Sequence, residues 1–165
     1  MRLMKDVTTN YLQNKEVAAM EGTMRAQVLE RVGHFELKEV PIPQINDDEV
    51  LVKVKYCGIC GSDWGSYQGK YADEVECIPL TTGHEVYGTI AELGANAQGL
   101  KIGDRVTYDI VIPCGTCYQC RIGEPLLCSD FKQIGIHTDG GFAEYVKVPW
   151  KNIYKVPDEV SDEKA

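Results

Sequence analysis

Four cysteines form the most informative pattern in this sequence, with the spacing Cys114-x-x-Cys117-x-x-Cys120 and then Cys128 after seven further residues. Thiolates are soft metal ligands, and four of them can surround one ion tetrahedrally. The C-x-x-C spacing lets two sulfurs from one tight turn converge, and Gly115 permits such a turn. Simple packing does not account for cysteines repeated at every third position. The pattern therefore predicts a structural metal site, holding either zinc or an iron–sulfur cluster.

Two further motifs are weak when each is taken alone. The first, Cys57-Gly-Ile-Cys60-Gly-Ser62-Asp63, contains a C-x-x-C pair that would serve as a redox couple or as half of a zinc site. A thioredoxin-like couple needs a βαβ setting, which the predicted elements do not provide. The second is Gly-His84-Glu-x-x-Gly, and a single histidine before a strand is more often structural than a ligand.

Short strands broken by turn residues dominate the predicted elements, and they favour an all-β barrel or sandwich. The predicted strands cover residues 24–30, 35–40, 50–56, 86–93, 105–112 and 142–148. One helix is predicted at residues 62–68, with Ser62 as its N-cap. Residues 1–23 have a thin apolar face, and we expect a poorly ordered extension or a short helix there. Residues 24–165 are predicted to form one domain, since ~100–200 residues is the usual domain size.

Composition excludes several classes of function. The 165 residues include 25 acidic and 17 basic side chains, giving a net charge of −8. An acidic chain is poorly suited to nucleic acid or to anionic membranes, where basic side chains neutralise phosphates. No apolar run approaches the ~20 residues that span a bilayer, and no secretory signal is recognisable. Seven cysteines, an odd number, argue against a disulfide framework, so we expect a cytoplasmic location.

Taken in order, the motifs resemble those of the zinc-containing medium-chain alcohol dehydrogenases. The order is C-G-I-C-G-S-D, G-H-E-x-x-G, G-D-R-V at residues 103–106, and then the four spaced cysteines. The segments 140–145 and 155–158 are also similar to that family. The resemblance covers residues 24–158 and is strongest to the sorbitol and threonine dehydrogenase branch. It implies a mainly β, GroES-like β-barrel catalytic domain with few short helices, and a four-cysteine zinc lobe at about residues 111–131.

The resemblance also implies roles for individual residues. Cys60, His84 and Glu85 match the ligands of a catalytic zinc, and Ser62 matches a hydroxyl that contacts the substrate oxygen. Asp63 matches a carboxylate that orients the histidine ligand. The four clustered cysteines match a structural zinc site, so two zinc ions are expected per chain. The implied reaction is oxidation of a small alcohol or polyol, in which zinc polarises a secondary alcohol for hydride transfer to NAD or NADP.

Other residues after Cys60 bear on the substrate and the proton route. Trp64, Tyr67 and Tyr71 are candidates to line a substrate pocket or to pack in the interior. The family commonly has a proton-relaying histidine at the position of Gly65. Cys57 and Cys77 match no metal ligand.

The resemblance further implies a second domain of the Rossmann type. No G-x-G-x-x-G pattern occurs in the 165 residues, so the pyrophosphate-binding turn of that domain is not among them. We therefore expect a missing domain or a separate chain to supply it, and the isolated chain to have weak or no activity. Two alternatives remain open: a non-enzymatic, zinc-stabilised β-barrel with an interaction role, and a thiol redox protein using Cys57 and Cys60.

Overall fold

Ten β-strands account for most of the regular structure in the computed structural model, which describes residues 20–70 and 78–165. The strands are β1 (Thr23–Arg31), β2 (His34–Pro41), β3 (Glu49–Gly58), β4 (Leu80–Thr81), β5 (Glu85–Leu93), β6 (Arg105–Tyr108), β7 (Val111–Ile112), β8 (Lys132–Gln133), β9 (Tyr145–Pro149) and β10 (Ile153–Lys155). The helices are α1 (Gly61–Tyr67), α2 (Tyr118–Arg121) and two 3-10 turns, Pro125–Leu127 and Trp150–Asn152. The predicted mainly-β architecture with few short helices is confirmed.

The strands form three sheets, and β3 is buried in the largest of them, between β5 and β9. That sheet has the order β10-β6-β5-β3-β9, the second has the order β2-β1-β4, and β7 pairs with β8. Val50 and Val52 on one face of β3 pack into the main apolar core, whereas Leu51 packs into a second cluster with Met24 and Ile42. Both faces of β3 are therefore covered where it begins, which explains why its sequence is a continuous apolar run there.

Two predicted strands differ from the observed ones. The strand predicted at residues 105–112 is divided into β6 and β7, because the Asp109 side chain accepts the N–H of Val111 at 2.9 Å in a local turn. The Asn152 side chain then donates to the carbonyls of both Asp109 and Val111, each at 2.8 Å, and holds the chain at this bend. The strand predicted at residues 142–148 begins only at Tyr145, because Phe142 donates its N–H to the carbonyl of Thr82 instead of continuing the ladder.

The predicted N-cap of the first helix was also wrong. Helix α1 is capped by Cys60, and Ser62 is the second residue of the helix itself. The cap position is fixed by Asp63, whose side chain reaches back to the Cys60 N–H. This frees the Ser62 hydroxyl for a contact outside the helix.

The start of the described chain is attached to the sheets. The Met20 N–H donates to the carboxylate of Glu92 at 3.0 Å, and its carbonyl accepts from the Gln44 amide at 2.9 Å. Residues 1–19, where the short helix was predicted, lie outside the described residues. Within the described ranges, no helix combines the length and apolar character needed to cross a membrane.

A network of charged groups holds the last residues against the large sheet. The Asp162 carboxylate accepts hydrogen bonds from the Lys55 ammonium and from the Tyr87 hydroxyl, the latter at 2.5 Å. Arg105 lies 3.1 Å from the same carboxylate and donates to the Tyr87 oxygen at 2.7 Å. The Lys55 and Tyr87 hydrogen bonds lower the pKa of Asp162 below its ordinary value of 3.8.

This network predicts a pH-dependent contribution to stability. A carboxyl group whose pKa is lower in the folded than in the unfolded state stabilises the fold above its unfolded pKa, and that contribution is lost as pH falls through the folded pKa. We therefore expect Asp162→Asn to lower the thermal unfolding temperature at pH 7, with the difference from wild type shrinking below pH 3.8. Thermal denaturation from pH 7 to pH 3 tests this, with Glu163→Gln as the exposed neighbouring control. A difference that does not change across that range would contradict it.

Candidate metal centres

The buried carboxylate of Asp63 connects the two chain segments that carry the candidate zinc ligands Cys60 and His84. Asp63 is 5% exposed. Its Oδ2 accepts the N–H of Cys60 at 2.8 Å, and its Oδ1 accepts the N–H of Gly83 at 3.2 Å. A buried carboxylate needs such donors, because an unpaired charge in the interior is costly. The start of α1 and the start of β5 are thereby held side by side.

Glycines bring the backbone before His84 into close contact with neighbouring loops. Gly83 has φ of +89°, which suits glycine, and a Cβ there would lie 2.7 Å from the Phe142 ring. A Cβ at Gly140 would lie 2.1 Å from the Gly83 carbonyl oxygen, and one at Gly135 would lie 2.6 Å from it. Since these contacts are to backbone, a side chain at either position would have to move the segment that carries His84.

The donor atoms of Cys60, His84 and Glu85 all lie within 4.8 Å of one another. The thiol is half-buried, the imidazole is buried, and the carboxylate is on the exposed side. Three such donors with one open side suit a catalytic zinc, which keeps a position for water or substrate. The structure thus brings together the three residues for which the resemblance implied this role.

The imidazole of His84 has a different neighbour at each ring nitrogen. Its Nδ1 is buried, lies 3.7 Å from Asp63 Oδ1, and has no hydrogen-bond partner among the described residues. Its Nε2 lies 3.3 Å from the Ser62 hydroxyl oxygen. With the Nδ1 proton facing Asp63, the Nε2 lone pair is left for a metal, which is the usual arrangement around a histidine ligand. The donor set therefore fits a zinc ion.

Gly58 makes room for the carboxylate of Glu85. The two residues are paired across β3 and β5. A Cβ at Gly58 would lie only 2.4 Å from Glu85 Oε2. The carboxylate can occupy its present position because residue 58 has no side chain.

The four clustered cysteines converge in a second group. Their sulfurs all lie within 4.8 Å of one another, with Cys117 Sγ 3.5 Å from Cys120 Sγ and 3.8 Å from Cys128 Sγ. A tetrahedral ion with metal–sulfur bonds of ~2.3 Å keeps its sulfurs ~3.8 Å apart. These four side chains fit a closed zinc site without large movement.

Backbone groups and mutual proximity affect the ionisation of these thiols. The N–H groups of Thr116 and Cys117 lower the pKa of Cys114 to about 6, and the Cys117 N–H donates to its sulfur at 3.4 Å. Partial burial and the neighbouring Cys117 thiol raise the pKa of Cys120 to about 12. Four sulfurs this close cannot all be thiolates without a positive ion among them. The electrostatics therefore also favour a bound metal cation.

An apolar cleft of about 540 Å³ opens beside α1. Trp64 and Tyr67, which were candidates for a substrate pocket or for packing, line it, and their rings are stacked with centroids 5.1 Å apart. Phe35 continues the stack at 5.6 Å from Tyr67. Tyr71 and Cys77 lie outside the described residues. Phe35 of β2 also lines the cleft, and this was not predicted, because the alternating pattern of β2 does not distinguish Phe35 from a packing residue.

A match to a protein-family model identifies the family of this chain. The model of the alcohol dehydrogenase GroES-like domain matches residues 46–158. The chain belongs to this family. Its GroES-like domain contains both cysteine motifs and the His84-Glu85 pair within the matched residues.

Individual relatives agree with the assignment to the GroES-like family. The chain is 40% identical over 142 residues to the starvation-sensing protein RspB of Escherichia coli K12, covering 86% of this chain and 41% of that protein. It is 39% identical over 130 residues to an L-threonine 3-dehydrogenase of Legionella pneumophila, covering 78% of this chain and 38% of that enzyme.

Solved structures show the same fold. A crystal structure named as a short chain alcohol dehydrogenase, rspB of Escherichia coli CFT073 complexed with NADH, matches with a TM-score of 0.77 at 40% identity. It covers 87% of this chain and 41% of the solved one. Galactitol-1-phosphate dehydrogenase of Escherichia coli matches with a TM-score of 0.77 at 35% identity, covering 85% and 40% of the two chains. The chain thus spans about two fifths of the length of the relatives it matches.

The contact between Gly58 and Glu85 gives a test of the first metal centre. We expect Gly58→Ala to displace the Glu85 carboxylate and to weaken zinc binding there by about tenfold or more, the range found when the support of a metal ligand is lost. Competition with a chromophoric chelator measures the affinity. Gly61→Ala is the matched control, because a Cβ at Gly61 meets nothing within 4 Å. Equal zinc affinities for both variants and wild type would contradict this prediction.

Proposed function

We propose that this chain is the catalytic-domain portion of a zinc-dependent NAD(P) alcohol or polyol dehydrogenase. The observation that carries the proposal is the convergence of Cys60, His84 and Glu85 within 4.8 Å. Cys114, Cys117, Cys120 and Cys128 would hold a second, structural zinc ion. Family membership supports the general class of oxidoreductase, and the residue roles are the finer part of the proposal.

Zinc bound by the first group would act as a Lewis acid that makes an alcohol hydroxyl easier to deprotonate. Ser62 would accept or relay that proton, because its hydroxyl oxygen lies 3.3 Å from His84 Nε2, the ring nitrogen that would face the ion. Asp63 would hold the His84 ring in one orientation and raise its basicity. Gly65 provides no side chain for the next step, so the proton would leave through water.

The substrate in this proposal is a small molecule with a secondary alcohol, such as a polyol or an amino alcohol. Relatives named as acting on L-threonine and on galactitol 1-phosphate support that range. The stacked rings of Trp64 and Tyr67 would contact the part of the substrate that does not react. A thiolate site of this kind needs reduced cysteines, so the proposal includes a cytoplasmic location.

The nicotinamide cofactor belongs to the proposed complete enzyme. A solved relative carries NADH, and the matched region covers about two fifths of it. We propose that the dinucleotide is bound by a Rossmann domain outside the matched region, in the same or a separate chain. Hydride transfer needs reacting atoms ~3–3.5 Å apart, so these 165 residues alone should be weakly active or inactive.

The two alternatives, a thiol redox protein and a non-enzymatic zinc-stabilised β-barrel, are less well supported. A redox role for Cys57 and Cys60 needs a reactive thiolate, whereas burial raises the pKa of the Cys57 thiol to about 12. A non-enzymatic barrel would not need an open three-donor group. It would keep the closed cysteine site and lose nothing if Cys60 were replaced.

Zinc content is the direct test of the proposal. We expect two zinc ions per chain by elemental analysis of protein purified without added metal. Cys60→Ser should remove one ion and leave the fold intact, and Cys120→Ser should remove the other and destabilise residues 111–131. If both zinc ions persist in Cys60→Ser, Cys60 is not a ligand of the proposed catalytic zinc. No zinc in a folded wild-type protein would exclude the proposal altogether.

A further inference from the structure

The last glycine of the G-H-E-x-x-G motif, Gly88, lies opposite an irregularity in the pairing of β3 with β5. Its partner on β3 is Val54. The next pair joins Tyr56 to Tyr87, so Lys55 has no partner of its own on β5. An extra residue of this kind is a β-bulge, and such bulges are frequent beside active sites, where they redirect side chains.

The bulge changes which side chains of β3 face the interior. Val54 and Cys57 both pack against the main apolar core, although they are three positions apart. In a regular strand, side chains three positions apart point to opposite faces. Because Lys55 is an extra residue, Cys57 returns to the core side and the next residue, Gly58, lies on the outer face of the sheet.

The bulge also decides which residue lies opposite Glu85. Beyond the bulge, the partner of Glu85 is Gly58. If β3 continued in the register that it has before the bulge, the partner of Glu85 would be Cys57. The space occupied by the carboxylate would then be taken by a side chain, since even a Cβ at Gly58 would lie 2.4 Å from Glu85 Oε2.

Gly88 permits a close approach of the two backbones at the bulge. A Cβ at Gly88 would lie 2.2 Å from the carbonyl oxygen of Lys53 on β3. Because this contact is to backbone, a side chain at residue 88 would have to push β3 away from β5. A glycine inside a strand often marks such an approach or a bulge, and here it marks both.

The carboxylate of Asp162 holds the bulge from the outer face of the sheet. It accepts hydrogen bonds from the Lys55 ammonium on β3 and from the Tyr87 hydroxyl on β5. The Tyr87 ring also stacks on that of Tyr56, the first residue after the bulge, with the ring centroids 6.2 Å apart. Side chains as well as the ladder therefore stabilise the register beyond Lys55.

We propose that Gly88 and the bulge at Lys55 position the Glu85 carboxylate as a ligand of the first metal centre. This inference rests on the proposed function, in which Glu85 binds the catalytic zinc. Gly88 is a positioning residue, because it lies three residues from Glu85 along β5 and acts through the register that sets Gly58 opposite that carboxylate. The last glycine of the motif thereby gains a role in the metal site.

A double-mutant cycle of zinc affinity tests the proposal, with Gly88→Ala and Glu85→Ala made singly and together. Competition with a chromophoric chelator measures the affinity, and the ion at the cysteine cluster is the internal reference that should not change. We expect Gly88→Ala to weaken zinc binding at the first centre by about tenfold or more, the range found when the support of a metal ligand is lost. In the Glu85→Ala background, Gly88→Ala should cause no further loss, because the ligand that it positions is already missing.

Gly94→Ala is the matched control. A Cβ at Gly94 would lie 2.4 Å from the carbonyl oxygen of Asn46, so the contact with backbone is nearly as close as at Gly88. Gly94 follows the last residue of β5, at the opposite end of that strand from Glu85. We expect Gly94→Ala to lower the thermal unfolding temperature as Gly88→Ala does, but to keep the zinc affinity of wild type.

Lys55→Met is a milder second variant, because it removes the bond from the bulge to Asp162 and keeps the length of the side chain. We expect it to weaken zinc binding at the first centre by about twofold or more, the fold-change that corresponds to the loss of one surface ion pair. Circular dichroism establishes which variants are folded. Wild-type zinc affinity in Gly88→Ala, or in Lys55→Met where Gly88→Ala does not fold, would overturn the proposal.

Two further results would overturn it: a loss of affinity in Gly94→Ala equal to that in Gly88→Ala, or a loss in Gly88→Ala that adds in full to that of Glu85→Ala. Either would show an effect that does not act through Glu85. The proposed function survives these results where Glu85→Ala alone weakens zinc binding. If Glu85→Ala binds zinc like wild type, Glu85 is not a ligand, and this inference fails together with that part of the proposed function.

Discussion

The geometry of the first metal centre depends on the carboxylate of Asp63. It binds the N–H of Cys60 in one segment and the N–H of Gly83 in another, twenty residues later in the sequence. The pairing of β3 with β5 ends at Gly58 and Glu85 and brings the two segments together, and these two hydrogen bonds join them beside the candidate ligands. The same carboxylate also lies 3.7 Å from His84 Nδ1, so one buried group is close to both candidate ligands. Its cost of burial is offset by these donors.

Small residues around this carboxylate are as necessary as the ligands. Gly83, Gly135 and Gly140 allow three loops to meet where side chains would separate them, and Gly58 leaves space for Glu85. None of these glycines carries chemistry. Their effect is to let side chains that do carry chemistry converge from α1 and β5. A site of this kind is therefore specified by residues that touch a ligand and by residues that must have no side chain.

The structure brings together both groups of candidate ligands named from the sequence, whereas several predicted element boundaries were wrong. The Cys114–Cys128 spacing indicated one metal site from chemistry alone, whereas Cys60, His84 and Glu85 were connected only through the family resemblance. Strand boundaries failed where side chains override local propensity, as at Asp109, which ends β6. The cap of α1 failed for the same reason, because the reach of Asp63 back to Cys60 is not visible in a propensity pattern.

The two metal centres relate to the fold in opposite ways. The first lies beside strands that already have an apolar core, so β3 and β5 would persist without an ion at Cys60. The second replaces a core: of its four cysteines, only Cys128 is buried, and the large apolar side chains beside it face outward. A segment ordered by metal–thiolate bonds would not need to bury Leu126 or Leu127. A closed metal site among these cysteines would let the segment keep a defined shape while its large apolar side chains stay exposed.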